Sequence, residues 1–127
     1  MPSSDFWTAL GLAVAESEDG GAVADLTVPD WLMSPFGTVH GGALAMVFDT
    51  VLAVAIVRRL DGPEDRVATH QLTVSYATFT GARRLRCHAR VVRLARTVAI
   101  AEGEITDPEG TLVAKALGTF GVRRRTS

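Results

Sequence analysis

Polar and apolar residues alternate along four stretches in the second half of the chain and stop alternating along one stretch before them. Over residues 66–79, Leu72, Val74 and Tyr76 fall on one side and Thr69, Gln71, Thr73 and Ser75 on the other. Residues 84–94, 97–106 and 111–122 follow in strand-like runs. Side chains point to alternate faces of a strand, so each stretch predicts a β-strand. Gly81, Ala95-Arg96 and Asp107-Pro108-Glu109-Gly110 supply the turns. Consecutive strands joined by tight turns predict an antiparallel meander. Upstream, residues 11–15 and 22–28 read as strand around the acidic, glycine-containing stretch Glu16–Gly21. Ser3 or Ser4 is expected to cap a short helix carrying Phe6, Trp7 and Leu10, with Gly11 closing it. Pro29 and Pro35 bracket a loop holding Trp31 and Met33.

The run Ala43–Val57 is apolar almost all round, which predicts a helix covered on most of its sides. It falls short of the ~20 residues that a membrane span needs, and it carries Asp49 in its middle. Gly37-Thr38-Val39-His40-Gly41-Gly42 leads into it, and Arg58, Arg59 and the turn Asp61-Gly62-Pro63 follow it. The order is therefore helix, strand, loop, long apolar helix, then four strands. That order predicts an α+β fold in which a strongly curved antiparallel sheet wraps around one long central helix. The helix's uncovered side and the exposed sheet face would then take a second copy of the chain.

Length and composition sharpen this picture without changing it. Residues 1–127 read as a single domain, and 47% hydrophobic residues are enough to fill its core. A chain this short buries a modest fraction of its surface, which favours association. With 13 basic and 14 acidic residues the net charge is −1, so no global field recruits nucleic acid or an anionic membrane. Arg83, Arg84, Arg86, Arg90, Arg93 and Arg96 crowd one segment, and Arg123, Arg124 and Arg125 cluster at the end. They read first as a solvated strand face and a tail; the alternative is phosphate contacts to an anion such as coenzyme A. Cys87 is the only cysteine, which excludes an intrachain disulfide and a zinc cluster and fits a reducing cytoplasm. It lies in a strand run and reads as an inert core thiol. The first residues lack a basic segment followed by an apolar one, so no secretory signal is read there.

Asp49 is the residue that changes the reading. Ala45, Met46, Leu52 and Ala53 are its helical neighbours, so no cation on its own helix can pair with it. Burying an unpaired carboxylate costs several kcal/mol, so folding alone would favour leucine here. A satisfied buried aspartate, bonded to backbone or to Thr50, is the bland alternative. A carboxylate withdrawn from water suits a general base or a nucleophile. Gly41 and Gly42 begin the same helix, where unpaired N–H groups and the helix dipole favour negative charge and where a ligand can approach bare backbone. That is suitable chemistry for the oxyanion of acyl transfer; a turn that needs glycine for packing is the alternative. Gly41 and Asp49 stand ~12 Å apart along one helix. Two antiparallel copies of the helix, each bringing its aspartate to the other's glycine end, would bring them to one reacting group.

The stretch Gly37-Thr38-Val39-His40-Gly41-Gly42-Ala43, with Asp49-Thr50 downstream, resembles the hotdog-fold thioesterases of the phenylacetic acid degradation type. The resemblance runs over nearly the whole chain and includes Thr73-Val74-Ser75-Tyr76 and Asp107-Pro108-Glu109-Gly110-Thr111-Leu112-Val113-Ala114. It implies that the Gly41 amide polarises a thioester carbonyl while Asp49 of the facing subunit activates water or attacks directly. It matches Thr69 to a hydroxyl residue that helps place the water, and it puts Ser34, His40 and Gly42 among the substrate-binding positions. Two departures stand out. Ser34 occupies a position where some members carry asparagine, and the turn after Tyr76 is short and lacks proline. His40 reads as structural in its turn rather than as a base, and His70 and His88 match no family role. Trp31, Met33 and Phe36 are candidates for an acyl pocket, with core or loop packing as the alternative.

The expected activity is hydrolysis of an aryl- or medium-chain acyl-CoA to free acid and coenzyme A. No metal and no cofactor beyond the coenzyme A of the substrate is implied. The expected assembly is a dimer with shared sites, paired into a homotetramer in the cytoplasm, with no nucleic-acid or membrane partner. A non-catalytic acyl-CoA binding or regulatory domain on the same fold is the alternative. A hotdog dehydratase ranks lower, since its acid and histidine pairing is not found.

Overall fold

Glycine sets the first corner. Gly11 has φ 77, and a Cβ there would fall 2.0 Å from the carbonyl oxygen of Thr27. Only glycine fits, and the chain turns from helix α1 (Asp5–Leu10) straight into strand β1 (Leu12–Glu16). The computed structural model describes residues 5–124, so the expected caps Ser3 and Ser4 and the terminal Arg125 lie outside the described residues. Strand β2 (Ala22–Thr27), a 3-10 turn (Asp30–Leu32), helix α2 (Gly41–Val57) and strands β3 (Arg66–Tyr76), β4 (Arg84–Leu94), β5 (Val98–Thr106) and β6 (Leu112–Arg123) complete the order.

The expected α+β architecture holds. One six-stranded antiparallel sheet covers α2, whose Leu44, Val47, Phe48, Val51, Leu52, Ala55 and Ile56 are buried against it. Small residues line the sheet's inner face, with Ala24, Ala89, Ala101, Ala114 and Ala116 all buried. Cβ atoms on Gly103 and Gly118 would lie 3.0 and 3.1 Å from the methyl groups of Leu52. This floor of small side chains lets the helix lie low in the curve of the sheet. Burying a large apolar side chain such as Phe48 or Phe120 stabilises by roughly 1.5–3 kcal/mol. Among the described residues no helix is long and apolar enough to cross a membrane.

The strand order corrects the simple meander. It runs β1-β2-β4-β5-β6-β3, so β3 pairs with β6, and β4 lies beside β2. Of the four long strands after α2, β4, β5 and β6 follow one another as neighbours and β3 does not. The segment after Tyr76 is a crossover rather than a hairpin turn or the end of a strand reaching residue 79. The N–H groups of Ala77 and Thr78 donate to the carbonyl of Val113, Thr80 accepts from Val39, and Arg83 accepts from Val28. Residues 77–83 thus pass from one edge of the sheet, past the chain entering α2, to β2.

Alternation also fails at one point in β3. Thr69 pairs with Phe120 and Gln71 pairs with Thr119, leaving His70 as an extra residue in a β-bulge. The bulge turns Thr69 to the helix side, with Leu72, Val74 and Tyr76, instead of the outer side with Gln71.

The outer face carries the charges. Arg86 pairs with Asp25 at 3.0 Å, and Arg90 bridges Glu102 at 2.9 Å and Glu104 at 2.7 Å. Arg83 pairs with Asp30 and Arg58 with Glu16. Arg83, Arg86 and Arg90 belong to the arginine-rich segment read as a solvated face, whereas Arg58 closes α2 and is partly buried; exposed pairs contribute only about 0.2–1 kcal/mol each. Cys87 is buried in the core as expected, and burial, followed by the nearby Glu104 charge, pushes its thiol up to about 12.

Candidate active site

Helix α2 starts two residues earlier than its apolar run, so Gly41 and Gly42 are its first two residues. His40 is the N-cap, with φ −61 and ψ 130, and its Nδ1 accepts the N–H of Gly42 at 3.0 Å. That bond requires an unprotonated Nδ1, so the ring serves as a helix cap, in line with the structural reading of His40. The carbonyl of His40 takes the N–H groups of Ala43 at 3.0 Å and Leu44 at 3.4 Å. Among the described residues the N–H of Gly41 alone in this first turn has no hydrogen-bond partner.

Packing does not explain Gly41. Its φ is not positive, and a Cβ would meet the Tyr76 ring at 3.4 Å, an ordinary contact. At Gly42 a Cβ would press on the capping His40 ring at 3.1 Å, so there the cap favours glycine. The bareness of Gly41 is therefore available to a ligand.

Asp49 departs from expectation in two respects. It is half-buried rather than buried, and it is not unpaired: the Thr69 hydroxyl donates to its Oδ1 at 2.5 Å. Both follow from the sheet's geometry. Ala45, Met46, Asp49, Thr50 and Ala53 lie on a side of α2 that the sheet covers only in part, and the β3 bulge aims Thr69 at that side. Among the described residues Oδ2 of Asp49 takes no hydrogen bond and remains open. Asp49 and Thr69 thus meet within one chain, while Gly41 lies two helical turns away.

Ser34 is not brought to this pair. Its hydroxyl lies 2.9 Å from Thr38 Oγ1 and accepts the Phe36 N–H at 3.2 Å, bracing the turn that precedes the helix. Trp31 and Phe36 do not pack into the core, being 63% and 89% exposed, whereas Met33 packs against it in part. Phe79, on the neighbouring crossover, is 91% exposed. A groove of about 440 Å3, lined by Thr27, Arg84, Arg86 and Pro108 among others, opens at another part of the sheet and touches neither Gly41 nor Asp49.

Two roles were missed in the sequence. Tyr76 donates its hydroxyl to the carbonyl of Gly41 at 2.5 Å, and the only signal was a polar tip on an inward-facing strand position. His88 lies 2.9 Å from Asp19 and 3.1 Å from the Ser17 hydroxyl, pinning the β1–β2 turn. The Ser17 hydroxyl and the Gly21 amide hold the Asp19 carboxyl below its ordinary range, with His88 adding to them.

Comparison with known proteins identifies the family. The sequence model of the thioesterase superfamily matches residues 36–114, more than half of the chain. A 1,4-dihydroxy-2-naphthoyl-CoA hydrolase of Listeria monocytogenes is 21% identical over 116 residues, covering 91% of this chain and 94% of that one. The solved structure of a thioesterase from Haemophilus influenzae superposes with a TM-score of 0.89 at 20% identity, over 96% of this chain and 85% of that one. A phenylacetic acid degradation-related protein of Ralstonia eutropha gives 0.86 at 28% identity, over 95% and 92%. The chain belongs to the thioesterase superfamily, and it is a thioester hydrolase on the hotdog fold.

Proposed function

We propose that the chain hydrolyses an aryl- or medium-chain acyl-CoA to free acid and coenzyme A. The observation that carries this reading is the unpartnered Gly41 amide at the N-terminus of the helix that also bears Asp49 bonded to Thr69. In the proposed step Asp49 takes a proton from water, and the resulting hydroxide attacks the thioester carbonyl carbon. The carbonyl oxygen becomes an oxyanion held by the Gly41 N–H at the positive end of the helix dipole. Collapse breaks the carbon–sulfur bond, and the proton held by Asp49 passes to the departing thiolate. Attack by Asp49 itself, with hydrolysis of the acyl-aspartate, gives the same products. Thr69 orients the carboxylate, and His40 and Gly42 keep the first turn closed. Ser34 has its hydroxyl committed to Thr38, so it supports the turn rather than the substrate.

The ~12 Å separation along α2 is the reason to assign each site to two copies, Gly41 from one and Asp49 from the other. The half-covered side of α2 is the surface on which they would meet, and pairing of dimers into tetramers extends this proposal. The aryl preference and the phenylacetic acid degradation type draw support from the names of the Listeria and Ralstonia relatives. Cytoplasmic residence and a reaction without added cofactor belong to the same reading.

Thiol release from aryl-, short-, medium- and long-chain acyl-CoAs tests this, with wild type beside Asp49→Ala. Turnover that vanishes in a folded Asp49→Ala protein supports the hydrolase and ranks its substrates. Undiminished turnover in a folded Asp49→Ala protein removes Asp49 from the mechanism.

A further inference from the structure

We infer that Tyr76 is a positioning residue for the Gly41 amide, a role that rests on the oxyanion reading of Gly41. The peptide unit between Gly41 and Gly42 is gripped at both ends. The Tyr76 hydroxyl donates to its carbonyl at 2.5 Å, and His40 Nδ1 accepts its N–H at 3.0 Å. The preceding carbonyl, that of His40, is fixed by Ala43 and Leu44. The Gly41 N–H shares a planar peptide unit with that carbonyl, so with this unit and the next both held it keeps one direction.

The two glycines make such a grip necessary. Side chains that would restrict the backbone are missing at both positions, and the first turn of a helix lacks the hydrogen bonds of its interior. A helix carbonyl keeps a lone pair after its own i+4 bond, and Tyr76 occupies it at Gly41. Mere ring packing would not need the hydroxyl, since the Tyr76 side chain remains half-exposed and its ring lies where only a Cβ on Gly41 would touch it. Desolvation pushes the Tyr76 phenol above its ordinary range, which keeps it a donor in neutral and mildly alkaline solution. The same strand holds Asp49 through Thr69 seven residues earlier, so β3 sets both halves of the site.

The test uses Tyr76→Phe, which keeps the ring and removes the hydroxyl, beside Tyr76→Leu, which removes both. Steady-state kinetics on the best acyl-CoA, melting temperature and amide hydrogen exchange at Gly41 and Gly42 are measured for each. Tyr76→Phe is expected to lower kcat roughly tenfold at unchanged KM, the scale of one ordinary hydrogen bond. Gly42 exchange should quicken to a similar degree, while exchange along the β3–β6 ladder stays as in wild type. Tyr76→Leu should match it in kcat and differ in melting temperature. Wild-type kcat and wild-type Gly42 exchange in Tyr76→Phe, with only Tyr76→Leu impaired, would show that the ring alone matters and overturn the inference. Full turnover in Asp49→Ala overturns instead the reading of the site, and with it the catalytic half of this role.

Discussion

At Gly41 the backbone permits a substitution that separates folding from chemistry. Proline is well tolerated at the first residue of a helix, because the N–H it lacks has no intrahelical partner. His40, at φ −61 and ψ 130, already has the extended conformation that precedes proline. Gly41→Pro is therefore expected to keep its melting temperature within a few degrees while deleting the proposed oxyanion donor. Loss of one such donor lowers kcat by about 10²–10³; kcat within threefold of wild type would remove Gly41 from the mechanism. Cys87 gives a prediction of a different kind. Its thiol titrates near 9 when exposed and is pushed up to about 12 here, so the folded state holds the proton more tightly. The associated stability is complete below pH 9 and is lost as pH rises toward 12. Urea midpoints measured from pH 8 to 11 should fall less steeply in Cys87→Ala than in wild type, whatever their level at pH 8. The sequence made Asp49 and Gly41 legible because each is costly without a role: a charge amid apolar residues, and glycine where a helix begins. It did not disclose the partner of Asp49. Thr69 reaches it only because His70 is an extra residue, and a bulge leaves no trace in a count of alternating positions.

Among the elements, α2 and the long strands were readable because their periods differ and their lengths suffice. Their adjacency was not. An apolar face identifies what it needs, namely cover, but not which strand supplies it. The seven residues after Tyr76 have the glycine and small residues of a turn, yet their backbone groups bond to Val113, Val39 and Val28 and carry the chain across the molecule. The close fit of α2 on the sheet shows where a small change should be costly. A Cβ on Gly118 would lie 2.7 Å from the Phe120 ring and 3.1 Å from Leu52. Both neighbours belong to the core, so Gly118→Ala is expected to destabilise by about 1–3 kcal/mol, as overpacking does. Urea denaturation checks it, and an unchanged midpoint would mean that the helix is free to ride higher on the sheet.

For the whole molecule the central prediction concerns shared sites. Asp49→Asn and Gly41→Pro subunits are each expected to be inactive as pure proteins. After subunit exchange, a mixed dimer has one site with both wild-type groups and one with neither. An equimolar mixture should recover about a quarter of wild-type activity, since about half the dimers are mixed. No recovery after exchange proven by mass spectrometry would place the complete site within one chain. A last consequence comes from β3, which in the chain by itself is an edge strand paired only to β6. Its partner comes only after β4 and β5 in sequence, whereas β4, β5 and β6 join through short turns. Such late-closing, singly supported strands are the natural units of partial opening. Thr69 and Tyr76 both ride on this strand, so the geometry around Asp49 and Gly41 should be the first order to melt. Turnover is then expected to fade at a lower urea concentration than far-UV ellipticity and to return at once on dilution, a reversible loss of function in a molecule that has not unfolded.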